Sequence, residues 1–192
     1  MTDIADGLLE ERQRYCAQSG GGISLPVAGA VYWTLAAVAG VWLVPQQWGL
    51  AAAFGSGLIF PLGLALQKPF RSPFMAVKSP LSGLTIAAVI GINLLWPVHV
   101  AIVSTAPQIA PLSLAIGMTL HWPIIGWAYA SRVCMAHAVV RTGAVTAIWF
   151  ALPEMRFVAI PAAVAILYIA AALGLAWEAR RSASGSARAA VA

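Results

Sequence analysis

Acidic residues are almost missing from this chain: there are 6 in 192 residues, and Glu154 alone stands between Glu11 and Glu178. That scarcity removes several chemistries at once. Glycosidic and aspartyl catalysis need two carboxyl groups facing each other across a substrate, and no such pair is available. Proton or sodium coupling through a carboxylate held among membrane helices loses its group in the same way. Charge of either sign is scarce, at 9% of residues against 61% hydrophobic, whereas a soluble domain carries about 25% charged residues. A water-facing surface cannot be built from this inventory. The 2 cysteines, Cys16 and Cys134, form no CxxC or other ligand spacing, so they read as free structural thiols and no cofactor or metal is expected. HExxH, GxSxG and a glycine-rich phosphate loop are missing too, and GGG at 20–22 reads as a hinge. The first residues carry Asp3, Asp6, Glu10 and Glu11 where a signal peptide would be basic, so none is expected.

What the chain does have is long oil-like runs, with a mean hydropathy of +0.85. About twenty apolar residues cross a bilayer, and six such runs fit: about 25–44, 48–66, 81–103, 112–131, 136–152 and 157–177. The expected fold is all-α, an integral membrane bundle of six transmembrane helices preceded by a short amphipathic helix. Residues 1–24 form that cytoplasmic segment, in which Ile4, Leu8 and Tyr15 share one face suited to the membrane surface. Residues 178–192, small and polar, read as a disordered cytoplasmic tail. Trp42 and Trp48 flank the first turn, as an interfacial aromatic belt would.

The basic residues fall at the ends of these runs. Arg12 and Arg14, then Lys68, Arg71 and Lys78, then Arg132, then Arg180, Arg181 and Arg188 lie on one side of the threading, and Arg156 alone lies on the other. Positive residues mark the cytoplasmic side, so both termini are expected inside. The formal charge of +5 is therefore a topology signal and not a nucleic-acid footprint. Small residues recur at four-residue spacing in Gly83, Ala87 and Gly91 and again in Ala170 and Gly174, a pattern that lets helices approach closely in lipid and would suit a homo-oligomer.

Polar groups collect in HWPIIGWAYASRVCMAHAVVR, residues 121–141. Ionisable side chains at membrane depth are costly and mark function by default. His121 lies near mid-bilayer and should be neutral, bonded to Tyr129, Asn93 or Thr119. Pro61, Pro97 and Pro123 interrupt their helices and free the carbonyls of Gly57, Asn93 and Thr119. With Trp122, Tyr129, Asn93 and His99, His121 would line a pocket, and Arg141, with His137 one turn before it and Arg132, would line a cytoplasmic vestibule for an anionic solute. The simpler alternative is that Arg141, about 10 Å inside the boundary, snorkels to water.

The run 121–142, together with IFPLG at 59–63 and PEMRFVAIP at 153–161, resembles a family of small bacterial multi-pass membrane proteins grouped as a domain of unknown function. The resemblance implies a bacterial inner-membrane protein and no particular chemistry. Three functions fit the residues: a carrier or channel for a small neutral or anionic solute, a structural or regulatory membrane module with no ligand, and, ranked last, a membrane enzyme or haem carrier using histidine. His99 and His121 sit at different depths, which opposes one shared haem iron.

Overall fold

The computed structural model describes residues 2–189, with side chains from 4 to 184. Every regular element among the described residues is helical. Helix α1 (Thr2–Gln18) is followed by α2 (Ser24–Ala39), α3 (Pro45–Ser56), α4 (Ile59–Ala65), α5 (Ser82–Asn93), α6 (Trp96–Thr105), α7 (Ala110–Gly117), α8 (Trp122–Ala128), α9 (Arg132–Ala151) and α10 (Arg156–Ala189). Five stretches are long and apolar enough to cross a bilayer, namely Gly20–Ala39, Ser82–Thr105, Pro107–Ala128, Arg132–Ala151 and Pro153–Ser184. The pair α3 and α4, bent by 41°, makes a sixth if it is one broken span.

The breaks fall where proline removes a backbone donor. Between α3 and α4 the chain tightens, with Gly57 N–H donating to Phe54 O at 3.2 Å and Leu58 N–H to Gly55 O at 3.0 Å. Ahead of Pro123, the Thr119 carbonyl accepts from Trp122 N–H at 3.0 Å. The Thr119 hydroxyl donates to Ala115 O and leaves His121 alone.

Helix α10 is the axis of the bundle, packing along α2 and against α9. Its own Ile160 and Val164 are fully buried, with Trp33, Leu114 and Val145 of the neighbouring helices in the same core. Trp48 joins them: its indole N–H donates to Ala36 O at 2.8 Å and its ring meets Phe157 edge-on. Of the two tryptophans flanking the first turn, Trp48 is thus packed into the bundle, while Trp42 is exposed. Beyond Trp177, α10 continues to Ala189 where a structureless tail was expected. The residues there are rich in alanine and arginine, both strong helix formers, and no proline interrupts them. Residues 190–192 of that expected tail lie outside the described residues.

Glycines 20–22, all with positive φ, end α1 as their lack of a Cβ allows. Helix α1 then docks against one end of the bundle. Tyr15 and Cys16 are buried beside Ala128, Tyr129 and Ala179. Burial pushes the Cys16 thiol up to about 12, so it stays protonated and inert. Glu11 accepts from Arg14 and from Ser79, and the Arg14 guanidinium holds its carboxyl below the usual range. Arg12 stacks on Trp127 and donates to its carbonyl. These contacts bring the N-terminal helix, the 67–81 loop, the turn before α9 and the far part of α10 to one end.

That turn is fastened by Glu178. Its carboxylate accepts from the Ser131 hydroxyl, from Arg132 N–H at 3.1 Å and from Val133 N–H at 3.2 Å, while the Ser131 oxygen accepts from Cys134 N–H. A negative group on the exposed donors at a helix N-terminus satisfies them and opposes the helix dipole. Glu178→Ala removes three charge-assisted bonds and should cost about 2–3 kcal/mol. The measurement is thermal unfolding in detergent, with Glu10→Ala, whose side chain is exposed, as the control.

The stripe on α5 is not used within the bundle: a Cβ added at Gly83 or Gly91 would meet nothing within 4 Å. On α10, Gly174 does pack, against Val133.

Candidate functional site

The clamp at Glu178 fixes where α9 begins, and thereby how deep its side chains lie. The helix starts at Arg132 instead of near residue 136, so Arg141 falls about nine residues, or roughly 14 Å, from the start and about as far from the end. Its side chain is fully buried. Snorkelling is therefore overturned, because the guanidinium sits at mid-helix among three packed elements and not within reach of either surface.

Four helices supply its surroundings. Trp33 of α2 offers a ring face 5.4 Å from the Arg141 Cζ, and Tyr168 of α10 another at 4.9 Å. Gly29 lets that tyrosine lie against α2, since a Cβ there would come within 2.7 Å of its ring. His137, one turn before Arg141, stacks on Trp122 of α8 with ring centroids 4.0 Å apart and lies 5.2 Å from Tyr168. His121, just ahead of α8, has its ring 5.9 Å from Trp122. The result is a cage of aromatic faces around one cation.

Hydrogen bonding in the cage is incomplete. Among the described residues no protein acceptor meets Arg141 Nε, Nη1 or Nη2, and the indole nitrogens of Trp33 and Trp122, Nδ1 of His121 and Nε2 of His137 are buried without a partner as well. His137 Nδ1 lies 3.2 Å from the Leu167 carbonyl, which can only accept. In the neutral ring, Nδ1 therefore carries the proton and Nε2 presents a lone pair. Unpartnered in and around the cage are thus five guanidinium and two indole N–H donors, the Nε2 lone pair of His137 and Nδ1 of His121. Among the described residues the one ion pair is Arg14 with Glu11, at the far end of the chain from this cation.

Magnitudes decide what that means. A cation at the centre of a membrane helix costs about 2.5–3.5 kcal/mol by the mildest scale and far more by others. A desolvated cation–π contact returns roughly 2 kcal/mol. Two faces can offset the mild figure, but they leave the guanidinium hydrogens without acceptors.

Of the residues singled out in the sequence, His121, Trp122, His137 and Arg141 are brought together. The other three are not. Asn93 is exposed, donating to Val89 O at 2.7 Å and accepting from the Trp96 indole at 3.1 Å. His99 is buried with Ser113, 2.7 Å from its Nδ1, and beside Trp96. Tyr129 belongs to the α1 end, its ring edge-on to Tyr15 at 4.9 Å. Trp33 and Tyr168 were missed. An aromatic residue near the middle of spans one and six was the available signal, but nothing in the sequence ties either one to Arg141. No group of three or more His, Cys, Asp or Glu among the described residues could hold a metal ion.

The profile of a family described as a family of unknown function, DUF7010, matches residues 8–178. No curated protein and no solved structure matches the chain.

Proposed function

The chain belongs to the DUF7010 family of unknown function, which brings no chemistry with it, and from the cage itself we propose that this polytopic membrane protein binds a small anion at Arg141 and carries it across the bilayer. One observation supports this reading above the others: a fully buried arginine whose guanidinium has no protein acceptor among the described residues. In oil such a group needs a counter-charge, and an anion that moves through the bundle supplies one. Trp33 and Trp122 contribute indole donors, and the faces of Tyr168 and His137 exclude water. The proposed setting is the inner membrane of a bacterium with both termini in the cytoplasm, supported by the basic residues gathered at the end where α1 docks.

A structural module with a static, aromatic-stacked arginine is the second reading, favoured by the two cation–π contacts. Flux and binding separate them. Purified protein in nanodiscs should bind acetate or nitrate, and proteoliposomes should pass it. Arg141→Gln should lower affinity at least 30-fold, in keeping with the roughly 2–5 kcal/mol lost when one partner of a buried charge pair is truncated. Wild-type protein that binds no monovalent anion would remove the proposal.

A further inference from the structure

A second feature lies one aromatic ring away from the cage. Where α3 and α4 break, they and α2 enclose a groove of about 260 Å³ whose walls include Ala28, Tyr32, Ala51, Gly55, Leu58 and Leu62. The groove opens sideways through lipid-facing residues: Leu58 is exposed at its rim, and so is Ala51. An apolar cavity of about 150 Å³ accommodates a benzene ring, so this one has room for a chain of about six to eight carbons. Tyr32 forms part of its wall and is pinned by its hydroxyl, which donates to Ala52 O at 2.8 Å. The next residue, Trp33, presents its ring to Arg141, and the two rings meet edge-to-face at 5.1 Å. Apolar groove, Tyr32, Trp33 and guanidinium therefore follow one another in space.

We infer that the anion taken at Arg141 is amphipathic, a monocarboxylate whose hydrocarbon tail occupies the groove between α2, α3 and α4 while its head pairs with the guanidinium. This rests on the anion-binding reading above and names its substrate class. Charge complementarity selects the occupant. The neutral acyl chains of the bilayer fit the groove but bring nothing to the cation, and an inorganic anion satisfies the cation but leaves the groove unused. Tyr32 and Trp33 stand between the two halves, and both rings must swing for head and tail to be held together. A single positive charge with no second cation beside it favours a monoanion, since a dianion would leave one charge uncompensated in oil.

The test is a series of straight-chain carboxylates from acetate to decanoate, titrated into protein in nanodiscs, with Arg141→Gln in the same lipid as background. Wild type should bind each acid about three- to fourfold more tightly per added methylene up to about octanoate, and then level off, as burial of each methylene requires. Ala51→Phe and Gly55→Leu fill the groove from its walls, and a Cβ at Gly55 makes only an ordinary 3.5 Å contact with Tyr32. In both variants acetate should bind as before, and octanoate should fall to within about threefold of acetate. Acetate binding with no dependence on chain length, or a dependence that survives both variants, overturns the amphipathic substrate and leaves the anion site standing. Failure of wild type to bind any of these acids overturns both.

Discussion

Arg141→Met, measured without added anion, should unfold later than wild type, with a gain of about 1–3 kcal/mol. The guanidinium is fully buried and has no protein acceptor among the described residues, so its two cation–π contacts can offset the mildest estimate of its transfer cost but not the harsher ones, nor the cost of its unpaired N–H donors. Replacing buried charge with apolar volume is often stabilising for that reason. The sign of the effect carries the information. An arginine that braced the bundle would make the methionine variant less stable, as breaking a buried pair does. Adding a binding anion at 100 times its dissociation constant should stabilise wild type by about 2.7 kcal/mol and leave the variant unchanged, so the two curves converge or cross. Thermal unfolding of both proteins in one detergent, with and without anion, settles it.

Gly40→Ala should do the reverse and be among the most damaging single changes in the chain. A Cβ at residue 40 would lie 2.1 Å from the Phe157 carbonyl oxygen and 2.6 Å from its carbon. Those are backbone atoms of α10, held by the helix axis itself, so no side-chain rotation relieves the clash. Pro161, four residues on, lacks the N–H that would have bonded that carbonyl, which leaves the oxygen turned toward the end of α2. Forced overpacking typically costs 1–3 kcal/mol where side chains can give way, and here about 3 kcal/mol or more is expected. Gly83→Ala is the matched control, since its Cβ would meet nothing within 4 Å. Alanine there should be neutral or stabilising by up to about 1 kcal/mol, the propensity gain over glycine. Equal loss of folded yield in both variants would show that the contact between Gly40 and α10 is not what matters.

The spans were legible because bilayer thickness and hydropathy act locally, and ten to twenty residues at a time carry the signal. Their ends were less so. The start of α9 depends on Glu178, 47 residues later than the Ser131 it meets, and a pairing of that separation leaves no trace in a local window. Misplacing that start put Arg141 near the surface and made snorkelling look attractive. Asn93 lies apart from the cage for a different reason. A polar group within a span is expected to face the bundle, yet here its bonds to Val89 and Trp96 satisfy much of it locally and let it face outward. Tyr129 was read as a pocket residue from its spacing on the helix, but it packs at the α1 end beside Tyr15 and Cys16. The four residues that the structure brings together, His121, Trp122, His137 and Arg141, lie on consecutive spans joined by a short turn, where sequence neighbours are spatial neighbours as well.

Helix α10 runs without a break from Arg156 to Ala189. Along it, Tyr168 forms a wall of the cation's cage, and Glu178, about ten residues or roughly 15 Å further on, holds the start of the helix that bears the cation. Both attachments sit on one stiff rod. A substitution that tilts or turns that rod would therefore be felt at both attachments and at the seat of α1 beside Ala179.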